Sequence, residues 1–125
     1  MKPVAGHNEL GRWGEVIARE LLLTQGYAIC GENIRISGVE IDFIATKDDV
    51  ICFVEVKTRS TDFVDPVEAI DRRKRSRLVK AADSYMRQYE IPLEPRFDIV
   101  IIIGSPESYT IEHIPDAFLP SLNNR

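Results

Sequence analysis

The segment from Phe97 to Ile103 constrains the fold more than any other part of this sequence. Its last five residues are all β-branched, and Asp98 is its only charged residue. β-branched side chains fit an extended strand, and an apolar run that does not alternate with polar residues needs cover on both faces. We therefore predict a central strand in a sheet that is flanked by helices.

The rest of the chain supplies the other elements of an α/β domain. Long helices are predicted over Asn8–Gln25, capped by Asn8 and stopped by Gly26, and over Asp71–Tyr89. The second helix should bury Leu78, Ala81, Ala82, Tyr85 and Tyr89, and a short helical turn should begin at Asp65–Pro66. Further strands are predicted over Tyr27–Ile36 with a break at Gly31–Asn33, Val39–Thr46, Val50–Thr58 and Tyr109–Ile114. This order indicates a mixed five-stranded sheet with one parallel crossover.

The composition fits a single domain. The 125 residues are 44% hydrophobic, which is enough for one core, here placed over residues 8–118, with a tail at 119–125 and loose order expected from Pro115 onward. No apolar run approaches the ~18–20 residues of a membrane span, and Met1–Glu9 lacks a hydrophobic signal region, so we expect a cytoplasmic protein without membrane contact. Cys30 and Cys52 form no Cys-x-x-Cys pattern and are expected to be reduced and buried.

The two apolar runs around Asp48–Asp49 predict a β-hairpin that carries a polar site. A two-residue loop would place Asp42 opposite Glu55, with Cβ atoms ~4.5–5.5 Å apart, and would place Lys57 on the same face. Two opposed carboxylates in an apolar setting are unfavourable, and a divalent cation would remove the conflict. Oxygen ligands favour Mg²⁺ or Mn²⁺ over zinc, and Lys57 would lie where a phosphate binds. These are the parts that phosphodiester hydrolysis needs.

Two alternatives remain open for the same residues. Asp-Asp is not a favoured two-residue turn, and a three-residue loop would move Glu55 to the opposite face unless a bulge restored the register. The second alternative is a salt-bridged sheet face in which Lys57 pairs with Glu40 and Glu55.

Glu55-Val56-Lys57 on a strand, with Asp42 on the neighbouring strand, resembles the PD-(D/E)xK nuclease superfamily. More of the chain resembles the uncharacterised bacterial YraN-like family. The segments that carry this resemblance are Leu10–Glu15 with Ala18, Gly26–Tyr27, Gly38–Asp42, Phe53–Arg59, Pro66–Ile70, Lys74 with Arg77–Leu78, and Arg96–Val100. Ser37–Glu40 departs from the Gly-Gly-Glu or Gly-Glu step of many relatives, which should affect the turn and not the ligands.

The resemblance implies a restriction-endonuclease-like fold and a metal-dependent endonuclease, since the family is regarded as similar to archaeal Holliday-junction resolvases. It implies that Asp42 and Glu55 hold Mg²⁺ or Mn²⁺, that Lys57 is the catalytic lysine, and that Glu15 is an additional acid near the metal. The implied substrate is DNA, including branched or junction DNA. Resolvases act as dimers because two strands must be cut, so a homodimer is also implied, with Tyr109–Ile114 as a candidate pairing edge.

Charge distribution bears on the partner. The net charge of −4 argues mildly against nucleic acid, yet Asp71–Lys80 contains six cations and one acid. We predict that DNA phosphates contact four residues of this stretch and one at the end of the catalytic strand: Arg72, Arg73, Lys74, Arg77 and Arg59. Trp13 and Tyr85 are interpreted as core residues, and His7 and His113 as isolated residues without a catalytic role. The alternative function is a non-catalytic nucleic-acid-binding or protein-interaction module that retains the nuclease fold.

Overall fold

The computed structural model describes residues 8–60 and 72–117, and the predicted elements occur there in the predicted order. The elements are α1 (Asn8–Thr24), β1 (Ala28–Ile36), β2 (Val39–Lys47), β3 (Val50–Arg59), α2 (Arg72–Gln88), β4 (Glu94–Ser105) and β5 (Ser108–Ile114). The turn predicted at Asp65–Pro66, as well as His7 and Asp71, lies outside the described residues.

The five strands form one mixed sheet in the order β1-β2-β3-β4-β5. Only β3 and β4 run parallel, and α2 lies in the connection between them, as the crossover prediction required. β4 has a neighbour on each side, and its residues 97–102 are buried. This confirms the central strand and the restriction-endonuclease-like arrangement, a mixed five-stranded sheet flanked by helices.

The two helices cover opposite faces of this sheet. Ala18 and Leu22 of α1 pack in one apolar cluster with side chains that include Phe43 and Val100. On the other face, α2 contributes to a second cluster, whose helical members are Leu78, Ala81 and Ala82. Tyr85 packs against this second cluster as predicted, but the prediction for Tyr89 is wrong, because α2 ends at Gln88 and leaves Tyr89 59% exposed.

Both helices end in the same way, although only one of them carries a glycine. At the end of α1, Gly26 adopts a positive φ, and Tyr27 N–H donates to the Leu22 carbonyl oxygen. At the end of α2, Glu90 adopts the positive φ, and Ile91 N–H donates to the Met86 carbonyl oxygen. The α2 terminus is thus formed ahead of the prolines that follow it, at a residue type that rarely adopts this conformation.

Three local expectations need correction. β1 is continuous and passes Gly31 by a bulge rather than a break. Cys30 is exposed, whereas Cys52 is buried as predicted, and both are free thiols. Residues 115–117 are attached to the sheet, because the Asp116 and Ala117 amides donate to β4. Within the described part of the chain, no helix is both long and apolar enough to cross a membrane.

Candidate nuclease site

The β2–β3 hairpin has the two-residue loop that the sequence predicted. Lys47 pairs with Val50 across the loop, and the ladder continues in one register to Phe43 and Val54. Asp48 adopts a positive φ of 55°, which aspartate tolerates better than most residues. The β2–β3 ladder ends at the pair of Phe43 and Val54, next to Asp42. Asp42 and Glu55 are therefore not a ladder pair, although the sequence predicted that they would lie directly opposite each other.

At Asp42, the side chains of β2 switch from one face of the sheet to the other. Ile41 belongs to the apolar cluster under α2, whereas Phe43 belongs to the cluster under α1. Residues two apart in a regular strand share a face, so β2 is irregular at the residue between them. In β1 the matching position is Asn33, which has a φ of 50°. Beyond the end of the ladder, the side chain of Asp42 replaces a backbone acceptor, since its Oδ2 accepts a hydrogen bond from the Val56 N–H at 2.8 Å.

The position of Asp42 is electrostatically unfavourable for a carboxylate. Burial is the largest cause, and the charge of Glu55 is the next; together they raise the pKa of Asp42 to about 7. The hydrogen bond from Val56 N–H opposes this increase, Glu15 adds to it and Lys74 reduces it. Glu55 is thus one of the charges that act on Asp42, and the hydrogen bond from Val56 N–H places Asp42 beside the residue that follows Glu55 in β3.

Glu55 is buried and lies between two lysines. Its Oε2 is 3.4 Å from Lys57 Nζ and 2.8 Å from Lys74 Nζ, and the Glu55 side chain is 10% exposed. Lys57 comes from the same strand, two residues along, whereas Lys74 reaches across from α2. The salt-bridged alternative is therefore present in part, because Lys57 pairs with Glu55. Within the described residues, Glu40 is not seen to pair with Lys57; its Oε1 lies 4.0 Å from Arg35 Nη2 instead.

Glu15 is brought to the site by a close contact between α1 and β3. Gly14 is buried against Thr58, and a Cβ atom at Gly14 would overlap Thr58 Oγ1. This contact holds the first turns of α1 beside the end of the strand that carries Glu55 and Lys57. Asn33 Nδ2 donates to Glu15 Oε1 at 3.4 Å, which fixes the acid near the irregular part of β1.

The predicted DNA-contacting residues divide into two groups. Arg72, Arg73 and Arg77 are exposed on α2, and Arg59 is exposed at the end of β3, where its Nη1 donates to the Thr58 carbonyl oxygen. Lys74 is different, because its ammonium is directed at Glu55.

The donor set suits a small hard cation, although it is sparse. Among the described residues, no three His, Cys, Asp or Glu side chains are grouped closely enough to hold a metal ion by themselves. Mg²⁺ is commonly bound through one or two carboxylates, with waters and substrate phosphates completing the shell. Asp42 and Glu55 meet that requirement, and a divalent cation would offset the repulsion that raises the pKa of Asp42.

Comparison with known proteins places these residues in a family. The sequence profile of the Uncharacterised protein family UPF0102 matches residues 14–102, which include the acids and both lysines of the site. The chain belongs to this family. UPF0102 proteins of Bacteroides thetaiotaomicron and Parabacteroides distasonis are each 45% identical to it, over 95% and 92% of this chain and 99% and 96% of their own length. A UPF0102 protein of Flavobacterium psychrophilum is 40% identical over 92% of this chain and 98% of its own.

This UPF0102 chain contains a second polar cluster, around Asp98, that the sequence analysis missed. Asp98 is 1% exposed, and Arg96 donates to it through Nε at 3.0 Å and Nη2 at 2.9 Å. His113 Nε2 lies 2.8 Å from Asp98 Oδ2, and the Asp116 N–H donates to Oδ1. Arg96 also donates to the Tyr27 hydroxyl. His113 is therefore not isolated but is a partner of the aspartate in the central strand.

The electrostatics of Asp98 are opposite to those of Asp42. Burial alone would raise the pKa of Asp98, but the hydrogen bonds from His113, Arg96 and the Asp116 N–H outweigh it and lower the pKa to about 2. Nearby, burial and the charge of Asp98 raise the pKa of the Cys52 thiol to about 12. Cys52 therefore stays protonated at neutral pH, which agrees with an inert core cysteine. One signal could have revealed this cluster: an acid in a fully apolar strand must have partners.

Proposed function

We propose that this protein is a metal-dependent endonuclease that hydrolyses phosphodiester bonds of DNA, with Asp42, Glu55 and Lys57 at its centre and Glu15 as an auxiliary acid. The observation that carries the proposal is the hydrogen bond from Val56 N–H to Asp42, which places Asp42 beside Glu55 where the β2–β3 ladder ends. Lys57 Nζ lies 3.4 Å from Glu55 Oε2 at the same place. A partly buried acid whose pKa is raised to about 7 costs stability, and such groups are concentrated at functional sites.

The residues have distinct parts in this proposal. Asp42 and Glu55 would hold Mg²⁺ or Mn²⁺, and the bound cation would polarise a phosphate and make an attacking water more acidic. The Val56 N–H fixes the orientation of Asp42. Lys57 binds a phosphate oxygen and stabilises the negative charge that develops on it in the transition state. Glu15 adds negative charge on the α1 side of the site, where it acts on Asp42.

The basic face of α2 supports nucleic acid as the substrate. Arg72 and Arg73 lie in the first turn of the helix, which contains no acidic residue among those described. Cations at the positive end of a helix dipole are unfavourable without an anion nearby, so a phosphate backbone is a suitable partner for this end. Exposed Arg77 and Arg59 would extend the same contact.

The test is cleavage of end-labelled DNA in Mg²⁺, Mn²⁺ or EDTA, using linear duplex, single-stranded and four-way-junction substrates. We expect cleavage only with the cation, and a loss of at least about 100-fold for Asp42→Asn, Glu55→Gln and Lys57→Ala. The matched control is Asp49→Asn, the same change in the exposed hairpin loop at the far end of the same strands, which should cut like the parent. Equal cleavage by Asp42→Asn and Asp49→Asn would contradict the site.

A non-catalytic nucleic-acid-binding or protein-interaction module that retains the nuclease fold is the second candidate. It is favoured by the two ammonium groups on Glu55, which neutralise this acid without a metal. The net charge of −4 leaves little nonspecific attraction to DNA outside the basic segment, which favours the protein-interaction form of this candidate. DNA binding that is equally strong in EDTA and in Mg²⁺, without cleavage of any of the three substrates, would select this function over the nuclease.

Branched DNA and a homodimer belong to the same proposal. Among the described residues β5 is an edge strand of the sheet, and we propose that its outer backbone groups pair with a second copy. Sedimentation at high protein concentration, with and without a four-way junction, tests this part. A species that remains monomeric in both conditions would argue against junction resolution and leave hydrolysis of other DNA.

A further inference from the structure

Lys74 contacts the proposed metal site more closely than the catalytic lysine does. Its Nζ is 2.8 Å from Glu55 Oε2, and Lys57 Nζ is 3.4 Å from the same oxygen. Both lysines therefore share one oxygen of a carboxylate that is 10% exposed. The surface role predicted for Lys74 from the basic segment does not describe this contact.

A divalent cation and Lys74 compete for the same carboxylate. Mg²⁺ requires its oxygen ligands at about 2.0–2.1 Å, closer than an ammonium approaches them. With both lysines in place, Glu55 Oε2 already has two ammonium groups within 3.4 Å. A divalent cation bound to Glu55 would lie close to both ammonium groups, and the repulsion falls when one of them moves away.

Lys74 is the lysine that can leave. Its side chain is 32% exposed, whereas that of Lys57 is 18% exposed. Lys57 is anchored in the interior of the sheet on β3, but Lys74 extends from the first turn of α2 on a flexible four-carbon chain. Arg72, Arg73 and Arg77 on the same helix are exposed to solvent, so a released ammonium joins an existing basic surface.

We infer that Lys74 is an internal counter-ion of the metal site: it occupies Glu55 while no metal is bound, and on metal binding it moves from Glu55 to a phosphate of the nucleic acid. This inference rests on the proposed function, because it takes Glu55 as a metal ligand. Its consequence is that Lys74 weakens metal binding and strengthens DNA binding only after the metal has bound.

Calorimetric titration with MnCl₂ tests the first half without any activity measurement. We expect Lys74→Met to bind Mn²⁺ about 10-fold more tightly than the parent, a figure that allows for solvent screening of the partly exposed lysine. Lys74→Arg keeps the charge and should bind Mn²⁺ like the parent. Lys80→Met makes the same change at an exposed position of the same helix and should also leave Mn²⁺ affinity unchanged.

Fluorescence anisotropy with a labelled DNA duplex tests the second half, using Ca²⁺ to fill the site and EDTA to empty it. We expect Lys74→Met to weaken DNA binding about 5-fold in Ca²⁺ and to have no effect in EDTA, where the lysine is held by Glu55. Arg72→Met serves as the contrast, because an exposed arginine should contribute to a similar extent in both conditions.

The outcomes separate this inference from the nuclease proposal. Unchanged or weaker Mn²⁺ binding by Lys74→Met overturns the counter-ion role, even if the parent cleaves DNA. If the parent shows no Mn²⁺ binding, the inference requires binding to appear in Lys74→Met, and its absence there overturns the inference. Tighter Mn²⁺ binding by Lys74→Met together with no cleavage of any substrate by the parent would support the counter-ion and reject the nuclease.

Discussion

Asp42 and Asp98 both lie in strands of the sheet, Asp42 partly buried and Asp98 fully buried, and they have opposite electrostatics. Asp98 has Arg96, His113 and the Asp116 N–H as partners, and its pKa is lowered to about 2. Asp42 accepts the Val56 N–H and faces Glu55, and its pKa is raised to about 7. Burial raises the pKa of both aspartates, so burial alone does not decide the outcome; the number of hydrogen-bond donors and the sign of the neighbouring charges decide whether the net shift is up or down.

The largest expected effect is at Asp98. We expect Asp98→Asn to lower the free energy of unfolding by about 3 kcal/mol at pH 7, because it leaves the partly buried charge of Arg96 without its counter-charge. Urea unfolding in EDTA measures this effect. A loss below about 1 kcal/mol would mean that the contacts of Asp98 contribute little to the stability of the fold.

The same residue sets an acid limit on stability. The folded pKa of Asp98, about 2, lies below its usual value of 3.8, so its contribution is complete above about pH 4 and is lost as the pH falls toward 2. The difference between the parent and Asp98→Asn should therefore shrink across that window. A difference that stays constant from pH 5 to pH 2 would contradict the lowered pKa.

An intermediate effect is expected at Gly14, where α1 meets β3 beside the candidate site. Gly14→Ala should lower the free energy of unfolding by about 1–3 kcal/mol, because the new methyl group overlaps Thr58, a stiff β-branched side chain. Thermal unfolding of Gly14→Ala, Thr58→Ala and the double variant gives the coupling. If the changes in the free energy of unfolding simply add in the double variant, the steric conflict between positions 14 and 58 is absent.

The smallest effect, and the one with the opposite sign, is at Asp42. Asp42→Asn removes a charge that is unfavourable in the folded state, so we expect it to raise the free energy of unfolding by about 1–2 kcal/mol at pH 8 in EDTA. The folded pKa of about 7 lies above the usual 3.8, so the cost is absent below about pH 4, grows as the pH rises, and is complete above about pH 7.

The pH dependence supplies the control for this last prediction. The stabilisation by Asp42→Asn should disappear when unfolding is measured near pH 4, where the parent carries a protonated Asp42. Destabilisation of Asp42→Asn at pH 8 would indicate that Asp42 stabilises the fold as Asp98 does. The contrast drawn between the two aspartates would then be wrong.

Local patterns were enough to predict much of this molecule. The β-branched run of β4, the glycine after α1 and the paired apolar segments around Asp48–Asp49 each reflect short-range preferences, so the elements and the hairpin register followed from them. The change of facing at Asp42 did not follow, because it depends on the matching irregularity at Asn33 in another strand.

Contacts between distant residues were the other part that escaped prediction. Lys74 and Glu55 lie on different elements, and nothing in a basic segment shows which of its cations turns inward. His113 meets Asp98 only because β5 folds back along β4. Propensity and spacing describe neighbours in the chain, whereas these contacts are set by packing of the whole sheet.

The parallel pairing of β3 with β4 has a consequence for the order in which the chain assembles. The hairpin of β2 and β3 closes through two loop residues, whereas β3 and β4 can pair only after residues 60–93 have been gathered into the crossover. Closing the longer segment carries the larger entropic cost, so it forms later. We therefore expect Asp42 and Glu55 to approach each other before α2 has docked and brought Lys74 to them. Their mutual repulsion would then oppose folding, and we expect high ionic strength to speed folding by screening it.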